Sequence, residues 1–470
     1  MTQRVGAHIN GTGSAVSKRL LWVAYTAGVL LAGYLVWSSG MSGPFHFDDH
    51  VTPLNDPASQ SLSAWEQHLP DTLRPIAKLS YALEASAGIS SQPAPRRVLS
   101  LLLHMIAAGL LYLLIARLEP GVAPFGAAFL AMLWFAHPVH ADSILLLSGR
   151  GAVLSAVFLL AAMLTLERSQ SVRAAVLFML ACLSRETALA GLLPLFVLVA
   201  SRPGVSPRTL LRELAPILAG SVLVLGWILA TPRYLDLAEF SFLGRPLWHS
   251  FVSQVGAVPV GLELLLQPSG LSIDYGIALP TDARAPLFLL GMFLYIAAAI
   301  GVLLFLRRSR TVALGLALWL AALLPTQSVI PKLDALSNRP LSLALAGLLI
   351  VTAPILVAAC QSTRSAMNRH ALYVGFGQGA KICALVLVAL LASTTVQRGK
   401  VFNTELTLWQ DAAAKSQTSA RPHLQYAMLL KENGRKQEAW QVLSAAHAID
   451  PFDSRIDDLL KIYRPKEAAP

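Results

Sequence analysis

PLFLLGMFLYIAAAIGVLLFL, residues 286–306, runs for 21 residues without a charge and is followed at once by Arg307-Arg308-Ser309-Arg310. A helix needs about 20 mostly apolar residues to cross the hydrocarbon of a bilayer. Lys and Arg accumulate in the short loops on the cytoplasmic side. This one stretch therefore predicts both a membrane-spanning helix and its direction. Working outward, comparable apolar runs fall at 20–37, 98–116, 124–135, 152–166, 215–230, 312–330, 341–359 and 380–396. Between 173 and 201 a long apolar stretch is broken by Leu183-Ser184-Arg185-Glu186-Thr187, which reads as two short helices meeting at a polar elbow. A charged pair is costly within one lipid-facing helix. The expectation is an all-α, polytopic membrane bundle of about eleven spans.

Composition agrees. The 470 residues are 55% hydrophobic and only 13% charged, against about 25% charged in an ordinary soluble domain. The formal charge of +11 is explained by membrane topology, so no nucleic-acid partner is expected. With the N-terminus inside, the cytoplasmic segments hold Arg4, Lys18, Arg19, Arg117, Arg168, Arg173, Arg202, Arg208, Arg212, Arg307, Arg308, Arg310, Arg364, Arg369 and Lys381, and of acids only Glu119, Glu167 and Glu213. Two long segments are then external, 38–97 and 231–285. The second contains the apolar stretch 249–266; counting it as a span would invert the Arg307 cluster, so it reads as an interfacial or re-entrant helix. Cys182, Cys360 and Cys383 lie in apolar runs with no ligand spacing, which predicts neither disulfides nor a metal site.

After the membrane domain, residues 1–397, the composition turns polar. Residues 398–470 read as a helical tail with one tetratricopeptide-like unit near 420–453. Tyr426, Ala427, Leu430, Gly434, Ala439, Leu443, Ala446 and Pro451 occupy its small and apolar positions. One and a half repeats bury little core alone, so the tail is expected to pack on the membrane domain or on a protein partner, and to serve acceptor choice or stability.

Chemistry-bearing residues gather in the external segments. Asp48 and Asp49 sit in Phe45-His46-Phe47-Asp48-Asp49-His50, just outside the first span. One of them is a candidate general base for a hydroxyl; the alternative is a helix cap or a solvated loop. Arg74, before Pro75, is either a phosphate ligand or an interfacial anchor. His137, His140 and Asp142 invite a metal reading, but a Pro-kinked turn with satisfied histidines is the commoner outcome, and no metal is predicted. Arg185 and Glu186 form either a self-satisfied ion pair or a substrate-positioning elbow. Arg150, Lys332 and Arg339 complete the candidates, with interfacial snorkelling the alternative for the last two. All fall on one side of the membrane under this topology. A transporter, or a scaffold for the repeat, is the alternative class; transporters place polar groups at mid-bilayer in several helices, whereas nearly all here lie at one interface.

In their order these motifs resemble the GT-C class of membrane glycosyltransferases, specifically the transmembrane and tetratricopeptide-repeat O-mannosyltransferase group and its bacterial relatives. Phe47-Asp48-Asp49 with Asn55 is similar to that family's first-loop motif. Arg74-Pro75-Ile76 with Leu79-Ser80-Tyr81, His137-Pro138-Val139-His140, Gly149-Arg150 and Ser184-Arg185-Glu186 are similar to further elements. Leu266-Gln267-Pro268 with Leu271-Ser272-Ile273-Asp274-Tyr275 is similar to a second-loop segment of bacterial members. The chain departs from the pattern at Gly151-Ala152 and at Ser337-Asn338-Arg339-Pro340-Leu341, and its repeat array is short. The resemblance implies transfer of a sugar from a polyprenyl-phosphate donor to a hydroxyl acceptor, on an exported protein such as a pilin or on an envelope glycan, with inversion. The Ala/Leu/Arg-rich composition and the short tail suggest a bacterium, and the charge bias puts the C-terminus outside, so the expectation is a bacterial inner-membrane protein with its site and tail in the periplasm. Asp48 or Asp49 would be the base; Arg74, His137, His140, Asp142, Arg150, Arg185, Glu186, Lys332 and Arg339 would bind substrate. The lipid-phosphate sugar serves as donor substrate and no cofactor is required, a divalent metal remaining an open alternative.

Overall fold

The computed structural model describes residues 28–464, apart from Ser90, Gly244, Arg245, Val329, Leu333 and 367–376; of 360–366 it describes the backbone alone. The start of the first expected span (20–27), Arg4, Lys18, Arg19 and Arg369, and the side chains of Cys360 and Arg364 lie outside what is described. Among the described residues the secondary structure is helical, without strands.

Among the described residues, seven helices are long and apolar enough to cross a bilayer: Pro93–Leu118, Leu147–Glu167, Pro207–Ala230, Leu247–Leu266, Pro286–Phe305, Asn338–Ala359 and Gln378–Val401. The pair Pro120–Phe135 and Pro138–Ile144, bent by 47° at His137-Pro138, makes an eighth if counted as one. The expected eleven are thus not reached by length. Ser171–Ser184, Glu186–Ala200 and Arg310–Leu323 are apolar but shorter, and Gly28–Gly40 is the described part of the first expected span. Proline begins several helices, where its missing N–H costs nothing: Pro93, Pro207 and Pro286 each stand in a first turn.

Burial sorts the helices into centre and rim. Along Leu147–Glu167, 78% of the apolar window is buried by protein, against 28% for Pro286–Phe305 and 11% for Gln378–Val401. Without a hydrophobic force between helices in lipid, small residues permit close approach. A side chain added at Gly315 would meet the carbonyl of Gly347 at 2.6 Å, so Arg310–Leu323 and Asn338–Ala366 pack backbone to backbone there.

The two ends of the bundle differ chemically. At one end Arg202 pairs with Glu213 at 2.6 Å, Arg310 pairs with Glu167 at 2.8 Å, and Thr311 donates to Glu119 at 3.1 Å. These residues all belong to the segments expected on the cytoplasmic side. The candidate site residues lie at the other end. Helix Leu247–Leu266 is long and apolar enough for a span, yet several of its contacts lie at that second end. Trp248 packs near Phe288, Ser253 donates to Pro280 O, Gln254 donates to Ile330 O, and Leu265 O lies 3.0 Å from His137 Nε2. A helix crossing the bilayer would carry one terminus about 30 Å from the other, whereas Trp248, Gln254 and Leu265 each meet a residue at or near that end.

The last long helix continues to Val401, past the expected domain boundary at 397/398. Four helices follow, Glu405–Lys415, Arg421–Glu432, Lys436–Ile449 and Ser454–Tyr463. Ala427, Leu430, Ala439, Leu443 and Ala446 are fully buried in a core of their own. Gly434 takes the left-handed conformation (φ +78°) in the turn between the middle pair, which glycine adopts without a Cβ penalty. Leu408, by contrast, packs into the core of the membrane bundle.

Candidate functional site

The first loop is pulled down onto the bundle by Arg97. Its guanidinium donates to the carbonyls of Leu145 (2.7 Å), Met41 (3.1 Å), Gly43 (2.5 Å) and Pro44. The chain then turns at Phe47, whose φ of +40° is unusual for a residue with a Cβ and costs on the order of 1–3 kcal/mol. This turn separates the two acids. Asp49 points inward, fully buried, and accepts from the amides of Ser148 (2.9 Å) and His46 (3.3 Å). Burial pushes the Asp49 carboxyl up, against the pull of those amides. Asp48 points outward, 45% exposed, with Arg339 at 3.6 Å.

Behind Asp48 lies a group of cations. Arg74, also in the left-handed region (φ +55°), forms a two-pronged pair with Glu186, at 2.9 Å and 2.7 Å. Its backbone N–H donates to the Tyr234 hydroxyl at 3.0 Å. The Glu186 carboxylate holds the Arg74 guanidinium above its ordinary range. Arg185, beside it in sequence, donates instead to Thr187 at 3.2 Å, so the elbow is not an Arg185–Glu186 pair; Glu186 is bound by a residue 112 positions away. Arg185 is repelled by Arg74 and Arg339, and Lys332 by Arg185, Arg74 and Arg339. Burial first, and these neighbours with it, push the Lys332 ammonium down to about 7. Arg185 and Arg339 line a pocket whose remaining wall is small and mainly apolar, with Ala156, Ala188, Ala322 and Leu343 among its residues. Arg74, Arg185, Lys332 and Arg339 are therefore brought together, with Glu186 and Asp48 the nearby acids.

The other candidates are placed differently. Arg150 is fully buried and pairs with Glu84 at 2.7 Å; Arg96 pairs with the same carboxylate at 2.8 Å, and both guanidinia lie over the Tyr81 ring. Arg150 is thus taken up in holding the first loop's helix Pro75–Ser86 to the bundle. His137 caps its own turn, accepting from the Val139 amide at 3.1 Å. His140 Nδ1 lies 2.8 Å from the Ser342 hydroxyl, and its ring meets those of His104, tilted, and Trp134, edge-on, each at 4.4 Å. Asp142 accepts from Asn338 at 2.8 Å. Among the described residues no cluster of three or more His, Cys, Asp or Glu is arranged to hold a metal ion.

Several organising residues escaped the sequence reading. Asn338 joins three segments, donating to Asp142 and to the Ser272 carbonyl (2.8 Å each) and accepting from Tyr275 at 2.5 Å. It is adjacent to Arg339, and so sets where that guanidinium begins. Arg96, Arg97 and Glu84 were available as signals, being charges at the edge of an apolar run in a charge-poor chain. An exposed carboxylate can accept a proton while the cations converging beside it hold an anionic group.

The chain is 24% identical to a protein O-mannosyl-transferase of Caenorhabditis elegans over an alignment of 449 residues, covering 88% of the chain and 61% of that relative. It therefore spans less than two thirds of the relative's length. This similarity accords with the resemblance to the O-mannosyltransferase group. No family model and no solved structure matches the chain.

Proposed function

We propose that this protein is a membrane glycosyltransferase that moves a sugar from a polyprenyl-phosphate donor to a hydroxyl group of a protein, with Asp48 as the general base. The observation that carries this reading is the position of Asp48: exposed, at 3.6 Å from Arg339, at the edge of the group formed by Arg74, Arg185, Lys332 and Arg339. A dianionic or monoanionic phosphate suits that group, and cations there stabilise the charge that develops on the leaving phosphate. Asp48 takes the proton of the acceptor hydroxyl; the oxygen bonds to the anomeric carbon as the bond from that carbon to the phosphate oxygen breaks. One displacement inverts the centre. A retaining route calls for a second carboxylate on the sugar, and Asp49 is turned away toward the Ser148 amide. Glu186 orients Arg74, and Asn338 orients Arg339.

The relative's name makes mannose the first sugar to test and a protein hydroxyl the first acceptor. The bias of positive charge supports a site and a tail outside the cytoplasm, which on this reading is the periplasmic side of a bacterial inner membrane. The test is transfer from polyprenyl-phosphate mannose to hydroxyl-bearing peptides by purified protein, wild type against Asp48→Asn. Loss of transfer with retained lipid-phosphate binding supports the reading; undiminished transfer by the variant removes Asp48 from the mechanism.

A further inference from the structure

Three connections carry the proposed site: the first loop with Asp48, the 271–276 part of the second long loop, and the connection after Leu323 with Lys332. The C-terminal helices touch all three. Trp409 of helix Glu405–Lys415 meets the Phe47 ring edge-on at 5.6 Å, at the residue whose left-handed backbone turns Asp48 outward. His46 Nε2 lies 2.8 Å from the Phe402 carbonyl. At the start of the next helix, Arg421–Glu432, Arg421 bridges Asp274 (2.5 Å) and Asp334 (2.6 Å). Asp334 is two positions from Lys332, and Asp274 lies between Ser272 and Tyr275, which hold Asn338 next to Arg339.

We infer that the C-terminal helices are part of the catalytic centre, with Trp409 a positioning residue for Asp48 and Arg421 a positioning residue for Lys332 and Arg339. The inference rests on the reading of the site given above. A left-handed residue with a Cβ persists only where its surroundings hold it, and Trp409 is the aromatic surface against Phe47. Loss of Arg421 leaves Asp274, which is nearly fully buried, without its guanidinium partner. It also frees the exposed Asp334 beside the cation group, where it competes with a bound phosphate. The two residues thus act on different steps: Arg421 on the hold on the donor, Trp409 on the chemical step.

That division is testable in the full-length protein in detergent micelles. Equilibrium binding of radiolabelled undecaprenyl phosphate reads the cation group without any transfer, and steady-state transfer from polyprenyl-phosphate mannose separates kcat from donor KM. Arg421→Gln is expected to weaken lipid-phosphate binding about tenfold, with most affinity restored in Arg421→Lys. Trp409→Ala is expected to bind the lipid as wild type does and to lose about 10²-fold in kcat, the usual effect of misplacing a reacting group by about 1 Å, while Trp409→Phe keeps most of its rate. Equal weakening of binding by both variants, or wild-type behaviour of either, overturns the inference. Wild-type protein that binds no undecaprenyl phosphate overturns the reading of the site itself.

Discussion

Asp48 and Asp49 are neighbours in the chain with opposite surroundings, and their replacement should have opposite signatures. Asp48→Asn keeps size and loses the proton acceptor, so transfer is expected to fall about 10²–10⁴-fold with folding unchanged; kinetics and a melting curve on one preparation separate the two. Asp49→Asn keeps one accepting oxygen and turns the other into an amide donor, which then faces either the Ser148 or the His46 amide. It is expected to destabilise by about 1–3 kcal/mol, read as a lower melting temperature; an unshifted melt would contradict the buried role. Lys332 makes a pH prediction. Its ammonium is held down to about 7 by burial and by the cations nearby, so it is charged below that pH and neutral above. Binding of undecaprenyl phosphate should weaken as pH rises through about 7. Lys332→Arg stays charged and should flatten that profile; identical profiles for the two proteins would remove Lys332 from the phosphate site.

At the scale of elements, helix Leu247–Leu266 separates composition from placement. Its apolar length alone suffices for a span, but Trp248, Gln254 and Leu265 all meet segments of the site-bearing end. Helices Ser171–Ser184 and Glu186–Ala200 show the converse: each is short for a span, and the break between them presents Arg185 and Glu186 to the site. Single cysteines introduced as His50→Cys, His249→Cys and Arg308→Cys test the arrangement with an impermeant thiol reagent on intact cells. Positions 50 and 249 should label from outside and 308 should not. Labelling of 249 only after permeabilisation would make Leu247–Leu266 a true span.

For the molecule as a whole, the tail's contacts with all three site-bearing connections change what its removal means. Protein lacking residues 405–470 is expected to bind undecaprenyl phosphate at least about tenfold more weakly than the full chain, where a tail that only recruited an acceptor would leave binding intact. The sequence by itself determined the helical membrane class and the two chemically distinct ends of the bundle, and it named all four residues of the cation group as candidates. These follow from local quantities: the bilayer demands apolar runs of a set length, and each run carries its own flanking charges. The count of spans was less legible, because interior helices shielded by protein need not meet that length. Only the tertiary structure decided which acid faces solvent, since the left-handed turn at Phe47 separates two carboxylates that are equivalent in sequence. It also decided that Arg150 belongs to Glu84 and Arg96, that Arg74 belongs to Glu186, and that Arg421 closes on Asp274 and Asp334. A charge in a poorly solvating environment must find a partner wherever packing brings one, and packing joins residues that no local pattern pairs.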